Sequence, residues 1–138
     1  MTNDTRTTGP SRGPKGSERR FTPDPSSARE ARQFVIDSGW SDDEETNMRL
    51  AAVVSELVTN AILHARTPFN VKVTKNHTKI RVDVSDESSE IPAARPYDKA
   101  EVTGRGLHIV DALTERWGFF KSPGGKTVWF EMARESAA

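Results

Sequence analysis

The chain contains no cysteine among its 138 residues, so disulfide bonds, thiolate metal sites and cysteine nucleophiles are excluded. Its three histidines are scattered along the sequence, which argues against a histidine-based zinc site. No apolar run approaches the length of a membrane-spanning helix, and the N-terminus is polar, so we expect neither a transmembrane segment nor a signal peptide. These absences predict a cytoplasmic protein with no membrane partner.

An excess of charge of one sign is also missing, because twenty Lys and Arg residues balance twenty Asp and Glu residues. No overall field therefore favours direct binding to nucleic acid, and specificity must come from a local site. The length suits one domain with one core. Residues 1–18 are rich in Thr, Ser, Gly, Pro and charge, so we predict a disordered tail there and an ordered domain over 19–134.

The ordered part alternates between helical and strand periodicity, which predicts an α/β fold. We expect a two-layer α/β sandwich in which a mainly antiparallel, mixed sheet carries helices on one face. Ser41 and Glu44 form the pattern of a capping box before the long second helix. The predicted elements are a strand near 20–22, helices over 27–38 and 42–65, a hairpin over 71–85, a loop over 86–103, a helix over 104–116 and a hairpin over 117–132.

The long second helix carries the most informative polar residues. Glu56, Asn60 and His64 follow one another at four-residue steps, so they share one side of the helix. A carboxylate can accept a proton and an amide oxygen suits Mg²⁺, so Glu56 and Asn60 fit phosphate chemistry. The alternative is a polar helix edge that simply meets solvent. Beside this edge runs an apolar stripe of Leu50, Val53, Val54, Leu57, Val58 and Ala61.

A second candidate site is Gly104-Arg105-Gly106-Leu107, at the predicted start of the third helix. Exposed amides and the helix dipole favour an anion at such a place, and glycine lets a phosphate approach the backbone. The segment lacks the third glycine of the dinucleotide fingerprint. It therefore predicts either a nucleotide phosphate site or a hinge that enters a helix.

A third candidate is Asp86, which ends a predicted strand just before the long loop. A carboxylate there can accept a hydrogen bond from an exocyclic amine and so recognise adenine. The alternative is an ordinary turn residue at a strand end.

The segment Gly125-Lys126-Thr127 matches the end of a P-loop, but Phe120 stands where the first glycine belongs and a strand follows. We therefore reject a P-loop. Lys126 and Thr127 either line a pocket from a strand or belong to an ordinary hairpin turn.

The order and spacing of these candidates resemble the GHKL ATPase superfamily, and most closely the small anti-sigma-factor serine/threonine kinases with a histidine-kinase-like ATPase domain. The resemblance covers about residues 20–133. Glu56-Leu57-Val58-Thr59-Asn60-Ala61, with His64, looks like the N-box of that family. It implies a Bergerat-type ATP-binding fold, in which Asn60 holds Mg²⁺ and Glu56 is the general base.

The same resemblance assigns the other candidates to the nucleotide. It implies that Asp86 binds adenine, that Gly104, Arg105, Gly106 and Leu107 lie beside the phosphates, and that Thr127 closes the adenine pocket. The chain departs from the family at Asp86-Glu87-Ser88-Ser89-Glu90, where Asp-x-Gly-x-Gly is usual and no glycine is present.

The function implied by the resemblance is an ATP- and Mg²⁺-dependent regulator of transcription. It would sequester a sigma factor and phosphorylate a serine on an anti-anti-sigma protein of the STAS type, and it would form a homodimer. Arg29 and Arg32 are either partner contacts or solvated side chains. The alternative is an ATP-binding or nucleotide-free interaction module without kinase activity. A sensor histidine kinase is not favoured, because we expect no room in the chain for a sensor and a phospho-acceptor helix pair. A serine hydrolase is not favoured either, because no nucleophile elbow surrounds any serine.

Overall fold

The structure is a computed structural model, and it describes residues 15–88 and 103–133. Within these ranges no helix is long and apolar enough to cross a membrane. The elements are strand β1 (Lys15–Phe21), helix α1 (Ser26–Ile36), helix α2 (Glu44–Asn60) with a π-helical turn (Ala61–Ala65), strands β2 (Phe69–Lys75) and β3 (Lys79–Asp86), helix α3 (Thr103–Leu113), and strands β4 (Arg116–Ser122) and β5 (Gly125–Ala133).

The strands form one sheet in the order β1-β2-β3-β5-β4. Strands β2 and β3 form one hairpin, and β4 and β5 form another. Helices α1 and α2 connect β1 to β2, and these two strands pair with each other. Every pairing among the described strands is antiparallel, including that of β3 with β5. The two-layer α/β sandwich is confirmed, but a parallel pair, which a mixed sheet requires, is not found in this part of the chain.

The core lies between one face of the sheet and the helices. Alternate residues of β2 and β3 are buried, as expected when one face of each strand meets a core. Helix α2 covers that face with its apolar stripe and also contacts α1 and α3. The sheet residues of this core include Phe69, Val71, Val73, Ile80, Val82, Val84, Val128, Phe130 and Met132.

The start of α2 differs from the predicted capping box. Asp43 is the N-cap, and its Oδ2 accepts hydrogen bonds from the Thr46 amide at 2.8 Å and the Thr46 hydroxyl at 2.7 Å. Ser41 instead accepts from the Asp43 amide at 3.0 Å, one step earlier in the chain. The prediction was wrong because two consecutive cap-forming residues, Asp42 and Asp43, follow Ser41, and the second of them caps the helix.

Strand β1 begins at Lys15, earlier than expected. Residues 15–18, which composition placed in the tail, pair with β2 as far as Lys75. Backbone pairing on a sheet edge does not require apolar side chains, so composition underestimated the strand. Residues 1–14 of the predicted tail, and residues 89–102 of the predicted long loop, lie outside the described ranges.

Candidate functional site

Helix α2 places Glu56 and Asn60 one turn apart on the flank of its buried stripe. The stripe is confirmed, with Leu57 and Val58 buried beside the two polar residues. Glu56 and Asn60 are half-buried. Neither side chain has a hydrogen bond or an ion pair within residues 15–88 and 103–133. An amide and a carboxylate placed in this way are available to a ligand.

The last turn of this helical segment is wider than an α-helical turn. The Arg66 amide donates to the Ala61 carbonyl, five residues back, at 2.9 Å, and Arg66 itself has a φ of 59°. Single π-helical turns of this kind are rare and are frequent at functional sites. His64 lies in this turn and is exposed, whereas Glu56 and Asn60 are half-buried.

Asp86 ends β3 with its side chain buried on the helix-facing side of the sheet. Its Oδ2 accepts a hydrogen bond from Lys126 Nζ at 2.8 Å, and these two side chains are only 5% and 4% exposed. Its Oδ1 accepts from the Ser88 amide at 2.9 Å. Burial of a carboxylate and an ammonium is tolerated because each compensates the charge of the other. Both carboxylate oxygens of the predicted adenine-binding residue therefore have a protein partner.

Three further contacts involve Asp86 and Glu87 at the end of β3. The Glu87 amide donates to Thr67 Oγ1 at 2.9 Å, and Arg20 Nη2 lies 2.8 Å from Glu87 Oε2. On the other side, Gly125 approaches so closely that a Cβ built on it would be 1.9 Å from the Asp86 carbonyl oxygen. Asp86 and Glu87 thus have a defined backbone path, although the sequence after Asp86 lacks the glycines of the family pattern.

Thr127 lies on the opposite face of the sheet from Asp86. Strand β5 pairs Lys126 with Asp86 and Thr127 with Ser85, and the Thr127 and Ser85 hydroxyls are 2.7 Å apart. Since neighbouring residues of a strand point to opposite faces, Lys126 rather than Thr127 meets the carboxylate. Sequence reasoning considered Lys126 only as a pocket or turn residue, because the register of β5 against β3 is not visible in the sequence.

The predicted glycine segment, Gly104 to Leu107, lies within the first turns of α3. This agrees with the expectation that a helix begins there, and α3 contacts α2. The side-chain environments of residues 103–107 lie outside the description. Their proposed contact with phosphates stays a prediction.

Two arginines of α1 have different environments. Arg32 is half-buried, and its Nη1 donates to Ser55 Oγ at 3.2 Å, next to Glu56 along α2. Arg29 is exposed. Arg32 therefore connects α1 to the polar side of α2, while a partner contact by Arg29 stays a prediction.

The donor atoms near the end of α2 fit Mg²⁺ bound together with a nucleotide. The described residues contain no cluster of three or more His, Cys, Asp or Glu side chains that could hold a metal ion. Mg²⁺ commonly takes one or two protein ligands and completes its octahedron with phosphate oxygens and waters. The half-buried and unpartnered Asn60 amide suits that arrangement, whereas a cage built from protein alone does not fit.

Comparisons with known proteins give a consistent result. A sequence profile described as "Histidine kinase-like ATPase domain" matches residues 21–132. No curated protein matches the sequence. The fold is similar to a crystal structure of the RsbU and RsbW domains of a Mycobacterium tuberculosis protein, with a TM-score of 0.65 and 16% sequence identity. That match covers 88% of this chain but only 34% of the other one, so the chain spans about a third of its neighbour.

Proposed function

Because this chain belongs to the histidine kinase-like ATPase domain family, we propose that it binds ATP with Mg²⁺ and transfers the γ-phosphoryl group to a serine of a partner protein. The observation that carries this proposal is the pair Glu56 and Asn60, which α2 holds one turn apart, half-buried and without a partner in the described residues.

In the proposed reaction, Glu56 accepts the proton of the attacking serine hydroxyl as its oxygen forms a bond to the γ-phosphorus. The bond between that phosphorus and the bridging oxygen breaks, and ADP leaves. Asn60 would hold Mg²⁺ through its amide oxygen, and the bound ion would neutralise phosphate charge. The amides of Gly104 and Gly106 approach the phosphates from the start of α3, with Arg105 as a nearby positive charge. Asp86 accepts a hydrogen bond from the adenine amino group.

The proposed partners follow from the resemblance to small anti-sigma-factor kinases. The serine substrate would be an anti-anti-sigma protein of the STAS type, and the second partner would be a sigma factor that the chain sequesters. The similarity in fold to the RsbU and RsbW domains supports a search among such proteins. We propose a cytoplasmic homodimer, as in the kinases that the sequence resembles.

The first test is calorimetric titration with ATP, with and without Mg²⁺. Asn60→Ala is expected to lose Mg²⁺-dependent binding, while Glu56→Ala is expected to bind normally. The matched control is Glu45→Ala on the same helix, because Glu45 is exposed and makes only a surface ion pair with Arg49 at 3.8 Å. Equal loss of binding in both Asn60→Ala and Glu56→Ala would contradict the separate roles.

The second test measures phosphoryl transfer. The chain is incubated with ATP, Mg²⁺ and candidate STAS-type proteins, and phosphoserine is detected by mass spectrometry. Glu56→Ala is expected to abolish the transfer at saturating ATP, whereas Glu45→Ala should leave it unchanged. Full transfer by Glu56→Ala would remove Glu56 as the base.

A second function, that of a regulatory interaction module without kinase activity, is favoured by one observation. Both oxygens of the Asp86 carboxylate already have partners, Lys126 and Ser88, and the usual glycines are missing. If the intact chain binds a sigma factor but no ATP, this module is the better description.

A further inference from the structure

The buried ion pair between Asp86 and Lys126 has chemistry that the proposed function does not yet use. Lys126 Nζ lies 2.8 Å from Asp86 Oδ2, and both side chains are shielded from water. The pairing of β3 with β5 sets the two residues directly opposite each other. A base that hydrogen-bonds to Asp86 would therefore lie close to the lysine ammonium.

Each member of the pair retains hydrogen-bonding capacity. A carboxylate offers about four lone-pair sites, and in Asp86 one is taken by Lys126 and one by the Ser88 amide. An ammonium has three protons, of which the contact with Asp86 uses one. The pair thus presents an acceptor beside a donor. The low dielectric around buried groups strengthens the bonds that each can still form.

An acceptor beside a donor complements one edge of a 6-aminopurine. The exocyclic amine at position 6 donates, and the adjacent ring nitrogen, N1, accepts. We propose that Lys126 is a base-recognition residue: its ammonium donates to N1 of adenine while Asp86 accepts from the 6-amino group. This inference rests on the proposed ATP-binding function, and it adds a residue that the resemblance to the family did not assign.

The test compares ATP with 1-deaza-ATP, in which a carbon replaces N1 and the amine is kept. Calorimetry gives the dissociation constant of each nucleotide for the intact chain. Since a hydrogen bond from a charged donor is lost, we expect 1-deaza-ATP to bind about tenfold more weakly. In Lys126→Met the two constants should differ by less than about twofold, because the donor to N1 is gone.

The control is Lys121→Met. Lys121 lies opposite Lys126 on the edge strand β4 and is exposed, so this change removes the same charge without removing a partner of Asp86. It should retain the preference of the intact chain. A general loss of structure in Lys126→Met would weaken both nucleotides together, so the ratio of the two constants reports recognition rather than stability.

Titration of the intact chain with the two nucleotides can overturn the inference even if Lys126→Met does not fold. Equal binding of ATP and 1-deaza-ATP by the intact chain would overturn the role of Lys126 and leave the proposed ATP binding standing. Tighter ATP binding by a folded Lys126→Met would also overturn it, since the lysine would then compete with the base for Asp86. Failure of the intact chain to bind ATP at all would refute the proposed function itself, and this inference with it.

Discussion

Replacing Gly125 by alanine is expected to disrupt the junction between β5 and the end of β3. A Cβ at position 125 would lie 1.9 Å from the Asp86 carbonyl oxygen, 2.9 Å from its carbonyl carbon and 3.0 Å from the Glu87 Cα. All three atoms belong to the backbone, so no rotation of a side chain can relieve the clash. The two strands must separate there.

The size of the effect follows from the required movement. A Cβ is essentially never found within 3.0 Å of such an atom, so the backbone around Asp86 must retreat by at least about 1 Å. Overpacking of this kind typically costs 1–3 kcal/mol, and the rigid neighbours place Gly125→Ala at the upper end, about 3 kcal/mol. For a domain of this size that corresponds to a fall in melting temperature of about 10 °C.

The assay is thermal and urea unfolding of Gly125→Ala beside Gly16→Ala. Gly16 also lies in a strand, but a Cβ there would be 3.4 Å from the Val73 carbonyl oxygen, an ordinary contact. Gly16→Ala should therefore be neutral or slightly stabilising, because alanine reduces the entropy of the unfolded chain. Equal stability of the two variants would refute the close approach of Gly125 to Asp86.

Two further predictions concern helix ends. Hydrogen bonds from the Thr46 side chain and then from its amide, together with the charge of Arg49, lower the pKa of Asp43 from 3.8. The charged Asp43 cap therefore stabilises the fold above pH 3.8, and this stabilisation is lost as the pH falls through the lowered pKa. The melting temperature of the intact chain should therefore exceed that of Asp43→Ala at neutral pH, and this difference should shrink below pH 3.8; a difference independent of pH would contradict a charged cap. Arg66 has a φ of 59°, a left-handed conformation that a β-branched residue adopts at a cost. The free energy of unfolding of Arg66→Val should therefore be about 1 kcal/mol lower than that of Arg66→Gly, and its urea midpoint should be lower too. Equal midpoints would argue against the left-handed conformation.

Local periodicity predicted much of the fold. The apolar stripe of α2 and the alternation of β2 and β3 arise from one face of each element meeting the core, and both are visible in a single sequence. The two hairpins expected over 71–85 and 117–132 were also predicted correctly. Strand β1 was underestimated, because its pairing with β2 depends on a partner far away in the sequence.

In the candidate site, too, local spacing was predictable from the sequence and contacts between distant strands were not. The placement of Glu56 and Asn60 on one side of α2 was predicted from their spacing, since a helix places residues four apart on one side; their role in a site stays a prediction. The partner of Asp86 was not found, because Lys126 is forty positions away and only the register of β5 against β3 brings it to the carboxylate. The same register turns Thr127 to Ser85 and the other face of the sheet. A shift of the β5 register by one residue would move Thr127 to the face of the sheet where Asp86 lies and Lys126 to the other face.

The register also brings the backbone of Gly125 close to that of Asp86. So close an approach of two backbones leaves no room for a Cβ, and Gly125 on β5 meets this condition. The hairpin of β4 and β5 thereby fixes both the backbone of Asp86, through Gly125, and its carboxylate, through the adjacent Lys126. If the chain binds ATP as proposed, loss of either contact should alter recognition of the base. Gly125→Ala should displace Asp86 and weaken ATP and 1-deaza-ATP alike, whereas Lys126→Met should remove the preference between them.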